Sequence, residues 1–176
     1  AELARLKATG EDRTRCRNLE PKTLRYVAQT LLQMKKHPER FPLVNGKRCP
    51  TGTEFLHGYL KGERVSNCCL TSPSTREFLL AEFKAQRAKA PKDAIVTYKF
   101  GCDDNSQWCE CPNCLRLLKS PGNSSADDRA CDLWWDFINW ISPRLLENDP
   151  NARVEVLIYL TYRQVPKKVK PLCCDR

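Results

Sequence analysis

Residues 94–114 read AIVTYKFGCDDNSQWCECPNC, a short apolar run followed by a loop dense in acids and thiols. Ala94 to Phe100 is β-branched and aromatic and is bounded by turn residues, the pattern of a strand. From Gly101 the run stops, and Asp103, Asp104, Asn105 and the thiols of Cys102, Cys109, Cys111 and Cys114 crowd into one loop.

The flanking segments alternate in the same way. Upstream, Val65 to Leu70 reads as a short buried strand ending in a turn. Thr71 and Ser72 then supply an N-cap and Pro73 a first helical residue, opening a helix that buries Phe78, Leu79 and Phe83 and stops near Pro91. Downstream, residues 127–147 are expected as a helix. Asp127 and Asp128 favour its start, Cys131, Trp134, Trp135, Ile138, Ile141 and Leu145 form its apolar stripe, and Pro143 kinks or shortens it. Val154 to Leu160 is a third apolar strand. Nearer the N-terminus, Leu24, Val27, Leu31, Leu32 and Met34 give helical spacing over 21–36. Residues 1–20 read as a weakly ordered lead-in, and the Pro- and Gly-rich stretch 37–67 as a long loop with room for short strands.

Strands that read as apolar runs and alternate with helices predict parallel β-α-β units. In such sheets chemistry collects in the loops that leave the C-terminal ends of strands. Two loops hold that place, Cys68 to Thr71 and Gly101 to Cys114, and because they follow adjacent strands they are expected to meet in space.

Composition bounds the possibilities. The chain has 176 residues, 41% of them hydrophobic, with 12 Pro and 7 Gly. That length suits one domain with a real core, and 4 Trp, 5 Tyr and 6 Phe within periodic segments exclude a disordered chain. No run approaches the ~20 apolar residues of a membrane span, and the opening AELARLKATG lacks the apolar stretch of a signal peptide. The missing initiator Met is expected of a chain processed or cut from something longer. The net charge is +9; 14 basic and 7 acidic residues fall within 1–65, leaving 16 and 14 of the 30 and 21 beyond it. A basic half can serve nucleic acid, but these charges are dispersed, with only Lys35-Lys36 and Lys47-Arg48 tight, so a solvated face is the favoured reading.

The 11 cysteines stand at 16, 49, 68, 69, 102, 109, 111, 114, 131, 173 and 174. An odd total in a chain of this size argues against a fully paired disulfide scaffold. Cys109, Cys111 and Cys114 form a C-x-C-x2-C run on one loop, and three such thiolates can hold Zn²⁺ tetrahedrally if a fourth ligand joins them. Cys69, at the end of the neighbouring strand, is the first choice for it and Cys102 the second. The competing reading is one disulfide plus spare thiols, or reduced cysteines alone. A redox pair ranks lower, because C-x2-C redox sites open a helix directly after a strand. Glu110, between the ligands, is expected to face solvent.

Other residues carry weaker signals. Asp103 and Asp104 stand where barrel enzymes place carboxylates, yet an Asx-turn explains them as well. Trp108 suits a sugar-stacking platform or the shield of a metal site. His37 ends a helix, where an imidazole caps carbonyls, with substrate contact as its second reading. His57 is assigned no role.

Four stretches together carry a resemblance. HPERFPLVNGKR (37–48), CLTSPSTREFL (69–79), DDNSQWCECPNC (103–114) and, after the helix around Asp132 to Asn139, VEVLIYLTYRQVPKKVKP (154–171) resemble, in consistent order, the blocks of an uncharacterised bacterial domain of unknown function. That domain is found beside alpha-glucuronidase-type N-terminal domains in polysaccharide-degrading proteins. The resemblance covers roughly 30–171, with the cysteine block its most specific element. Two positions depart from the family pattern: Ser72 stands for its Asn before Pro, and Lys167 for its second Pro. The resemblance implies a (β/α)8 barrel related to glycoside hydrolases and an exported parent protein, the compartment of this chain staying open.

A full barrel takes ~250 residues, so 21–176 is expected to be about half of one. The resulting expectation is a carbohydrate-active, glycoside-hydrolase-like segment with a zinc-stabilised Cys-rich loop, taking oligosaccharide or polysaccharide and no membrane. Asp104 matches the family's Asp as the candidate catalytic carboxylate; Asn105, Trp108, Tyr159, Tyr162 and His37 would contact sugar. Glycoside hydrolysis needs two carboxylates, and the second is expected on a later strand, so catalysis by this chain alone is left open. The alternatives are a zinc-dependent nucleic-acid-binding module using the basic half, and a structural remnant without a ligand.

Overall fold

The computed structural model describes residues 29–30, 32–49, 67–102, 107–118, 128–147 and 149–172. Outside them lie the lead-in 1–20, most of the helix expected over 21–36, His57, the beginning of the strand expected at Val65, Asp103, Asp104 and Asn105, and Cys16, Cys173 and Cys174. Most of the basic half is outside them too.

Residues 29–30 and 32–36 are helical, and the His37 N–H bonds to Gln33 O at 2.8 Å. A 3-10 turn, Pro38–Arg40, leads into a hairpin of β1 (Leu43–Val44) and β2 (Lys47–Arg48). Asn45 and Gly46 both have positive φ, 51° and 73°, as the tightest hairpin turn demands; Asn and Gly tolerate that region best.

Asn67 to Leu70 joins no sheet. Its backbone donors go instead to loop carbonyls, Asn67 N–H to Gln107 O and Cys69 N–H to Arg40 O, both at 3.1 Å. The strand expected here is therefore a connecting segment within the described residues. Helix α1 (Pro73–Lys89) follows with Pro73 in its first turn, and Ser72 Oγ accepts the Thr75 N–H. Ser and Asn are both good caps at this position.

Strand β3 (Thr97–Phe100) pairs in parallel with β4 (Arg153–Val156), Thr97 opposite Arg153 and Phe100 opposite Val156. The crossover between them carries α2 (Pro112–Leu117) and α3 (Cys131–Leu146). The expected parallel β-α-β connection is present; the described residues hold two sheets of two strands each. One face of β3 meets the helices: Tyr98 and Phe100 are buried, and their rings lie 5.8 and 4.8 Å from Phe83 of α1, with Phe137 of α3 6.0 Å from Phe100. The other face is open, and there Lys99 Nζ lies 3.2 Å from a Glu155 carboxylate oxygen.

Helix α3 continues three residues past Pro143. β4 stops at Val156, four residues short of expectation, because the chain turns through the 3-10 segment Leu160–Tyr162 to bury Tyr162 against Trp108 and Trp134. The tail then lies along α3. Asp132 Oδ1 accepts the N–H groups of Lys168 and Val169 at 2.6 and 2.9 Å, and Asn139 bonds Lys170 O and Leu172 N–H at 2.8 and 3.0 Å. Among the described residues no helix is long and apolar enough to cross a membrane.

The cap gives a direct stability test. Ser72→Ala is expected to cost about 1 kcal/mol in chemical denaturation, and Ser72→Asn to recover it.

Candidate metal centre

Three segments converge above the C-terminal part of this core. The first is the hairpin, whose Leu43 O accepts the Glu110 N–H at 2.6 Å. Glu110 Oε2 in turn accepts the Asn45 N–H at 2.6 Å in an exposed bond, so its side chain braces the hairpin from the surface. The second is the turn before α1, closed by Ser72 N–H to Cys69 O at 3.1 Å. The third is Cys109 to Cys114, where Cys111 caps α2 and Cys114 lies in its first turn. A spacing of three on a helix puts both on one side.

The result is one cluster. The sulfurs of Cys69, Cys109, Cys111 and Cys114 all lie within 4.8 Å of one another, and none of the four is in a disulfide. Cys69 Sγ is 3.7 Å from Cys111 Sγ and 3.8 Å from Cys114 Sγ. A disulfide would need ~2.05 Å, whereas four thiolates at ~2.3 Å from a tetrahedral Zn²⁺ sit about 3.8 Å apart. The residues fit a metal ion. Cys69 is 3% exposed, Cys109 and Cys114 0%, and Cys111 is half-buried.

Crowding splits the thiols electrostatically. Hydrogen bonds from Cys109, then Cys114, hold the Cys69 thiol far down, at about 2. Cys109 gains a lowering bond from Cys114, but its bond to Cys69 and its burial outweigh it and push the thiol up to about 12. Cys114 is pushed up by its bonds to Cys109 and Cys69 and by burial. One buried thiolate held by its neighbours' protons is a seat that a divalent cation can take over by displacing those protons. Backbone donors serve the same sulfurs: the Leu43 N–H reaches Cys109 Sγ at 3.3 Å. With four protein ligands no coordination position is left for a substrate, so the cluster suits a structural ion.

The other sequence-derived site residues are scattered. Cys102 is outside the cluster and lines a cavity of about 440 Å³ together with Cys68, Phe100 and Trp134. Trp108 is 2% exposed and Tyr162 1%. The Trp108 indole N–H bonds Thr161 Oγ1 at 2.8 Å, and its ring meets Tyr162 edge to face at 5.9 Å. Both rings are thus buried where sugar contact was expected, and Trp108 shares the core cluster with Cys69, Cys109 and Cys114, the position of its other reading as the shield of a metal site. Tyr159, 44% exposed, does reach the surface just beyond β4. His37 Nδ1 lies 3.6 Å from Glu39, away from the sulfurs. Asp104 and Asn105 are outside the described residues.

Sequence reasoning missed Leu43 and Thr71. The Asn45-Gly46 pair is a hairpin signal that would have delivered the first; the hydroxyl of Thr71, 3.1 Å from Cys114 Sγ, has no signature of its own.

Because Cys109 and Cys114 are both held protonated, loading the cluster at neutral pH is expected to release at least two protons, one from each. Metal affinity should therefore rise with pH and fall on acidification. Calorimetry of zinc binding in buffers of different ionisation enthalpy counts those protons.

No curated protein and no solved structure matches the chain. A family model described as a domain of unknown function (DUF4838) matches residues 7–172, a span that takes in the hairpin, the turn before α1, the cysteine run and the tail against α3. The chain belongs to the DUF4838 family of domains of unknown function.

Proposed function

We propose that Cys69, Cys109, Cys111 and Cys114 hold one structural Zn²⁺, and that the domain it braces is a carbohydrate-binding, glycoside-hydrolase-like unit. The observation that carries the first part is the sulfur cluster: four thiols within 4.8 Å, one from the turn before α1 and three from the run 109–114. Zinc is the natural occupant of a closed all-thiolate tetrahedron, since it has no redox chemistry and no geometric demand beyond four ligands. Bound there it ties the start of α1 to the start of α2, and the hairpin joins that corner through the Leu43 N–H on Cys109 Sγ. The residues themselves do the rest, Leu43 N–H stabilising the charge on Cys109 and Trp108 filling the space beneath.

Support for the second part is the parallel pair and the resemblance. We read β3, β4 and their helices as part of a (β/α)8 barrel, with ligand bound beyond the C-terminal ends of the strands. The chain leaving Phe100 there runs into the segment of Asp104 and Asn105, and the chain leaving Val156 presents Leu157, Ile158 and Tyr159 at 52, 49 and 44% exposure. Tyr159 is the aromatic available for stacking on a sugar ring. On the open face Glu155 adds a carboxylate to the same side of the sheet as Lys99.

The two parts are tested separately. Elemental analysis of the purified protein should give one zinc per chain, lost in Cys69→Ala and Cys114→Ala. Stripping the ion with a chelator should lower Tm by more than about 10 °C, because each kcal/mol is worth about 2–4 °C in a domain of this size and a four-thiolate zinc contributes several. No stoichiometric metal and an unchanged Tm would sink the zinc reading. Binding of uronic-acid-bearing oligosaccharides, followed by calorimetry, should weaken about tenfold in Tyr159→Ala; no binding at all rejects the carbohydrate reading and leaves the metal centre standing.

A further inference from the structure

Resting on the zinc centre proposed above, we infer that Thr71 is a positioning residue for it: its hydroxyl donates to the metal-bound sulfur and sets how tightly the cluster holds its ion. Thr71 Oγ1 lies 3.1 Å from Cys114 Sγ, 3.6 Å from Cys111 Sγ and 3.7 Å from Cys69 Sγ. One oxygen thus caps the triangular face made by three of the four sulfurs. The remaining sulfur, Cys109, is served by the N–H of Leu43 at 3.3 Å and by the backbone of Cys111.

The direction of these bonds follows from the metal. In the empty cluster a thiol or the hydroxyl can donate. A metal-bound thiolate has no proton, so the hydroxyl must be the donor, and the distance makes Cys114 its acceptor. Four thiolates around Zn²⁺ carry an excess of two negative charges, and Cys69, Cys109 and Cys114 are each 3% exposed or less. Buried charge is costly unless hydrogen bonds meet it. Among the described residues that donate to these sulfurs Thr71 does so with a side chain, so its contribution can be removed without touching a ligand. Its place is preset: the turn closed by Ser72 N–H to Cys69 O and the Ser72 cap on α1 fix residues 69–72 before any ion arrives. Partners in this outer position typically change metal affinity 10–100-fold.

The test is zinc competition against a chromophoric chelator at fixed pH, on the full chain and its variants. Thr71→Val keeps the shape and deletes the hydroxyl; it should still take one ion, about 10–100-fold more weakly, while Thr71→Ser stays within a few-fold of the parent. With Co²⁺ in place of zinc, the sulfur-to-metal charge-transfer band should move to lower energy in Thr71→Val, because the sulfur loses a donor and becomes easier to oxidise. If Val does not pack, Thr71→Ala carries the same comparison. Equal affinity and an unmoved band in the hydroxyl-free variant would overturn the inference, as would a Thr71→Ser variant as weak as Thr71→Val. A parent protein that takes no ion rejects the zinc reading itself, before any variant is compared.

Discussion

Four sulfur atoms, brought within 4.8 Å from positions up to 45 residues apart, set the constraint around which the described structure is arranged. Thiols are weak hydrogen-bonding groups, and a buried thiolate without a counter-charge is costly. A cluster of this kind therefore has little value as a set of thiols and much as a set of ligands. With the zinc we propose, the same four side chains tie the entry to α1 to the entry to α2, and the Leu43 N–H on Cys109 Sγ ties the hairpin to both. Each of those entries is itself made rigid by local chemistry: positive φ at Asn45 and Gly46, the Ser72 cap, and Pro112 in the first turn of α2.

Beneath the cluster the core is aromatic. Phe83, Tyr98, Phe100, Phe137, Trp134, Tyr162 and Trp108 form a continuous series of ring contacts with centroids 4.8 to 6.0 Å apart, running from α1 across β3 and α3 to the segment that carries Cys109. Geometry of this kind contributes beyond area burial. Two of the polar ends are used internally: the Trp108 indole N–H bonds Thr161 Oγ1 and the Tyr162 hydroxyl accepts the Cys102 N–H, whereas Trp134 Nε1 is buried with no partner among the described residues. The far side of the parallel pair is a different surface, charged at Lys99 and Glu155. One sheet thus has a packed face beneath the cysteine cluster and an open face that leads to the strand ends.

Much of this was legible. Ser72-Pro73 marked the start of α1 because cap and first-turn preferences are local. The apolar stripe of Cys131, Trp134, Ile138 and Ile141 marked α3 because helical spacing needs only the helix itself. The cysteine run and Cys69 were brought together by one topological argument, that loops after adjacent strands are neighbours; the neighbours proved right although Asn67 to Leu70 is not in a sheet. Other residues misled. Trp108 and Tyr162 are amphipathic rings next to a polar loop, and composition cannot say which side they turn to; Tyr162 packs inward on Trp134 and Trp108 on Tyr162. The stretch Leu157 to Leu160 looks like strand, but burying Tyr162 bends the chain away from the ladder.

By itself the sequence determined the start of α1, the apolar face of α3 and the thiol cluster, because capping, periodicity and thiol chemistry act over a few residues; it placed the start of α3 at 127, four residues before Cys131. Only the tertiary structure decided which thiol completes the set, that the hairpin amide and the Thr71 hydroxyl serve the sulfurs, and which aromatic rings face the core. Those outcomes depend on distances between segments far apart in the chain, and such distances are fixed by packing rather than by any local preference.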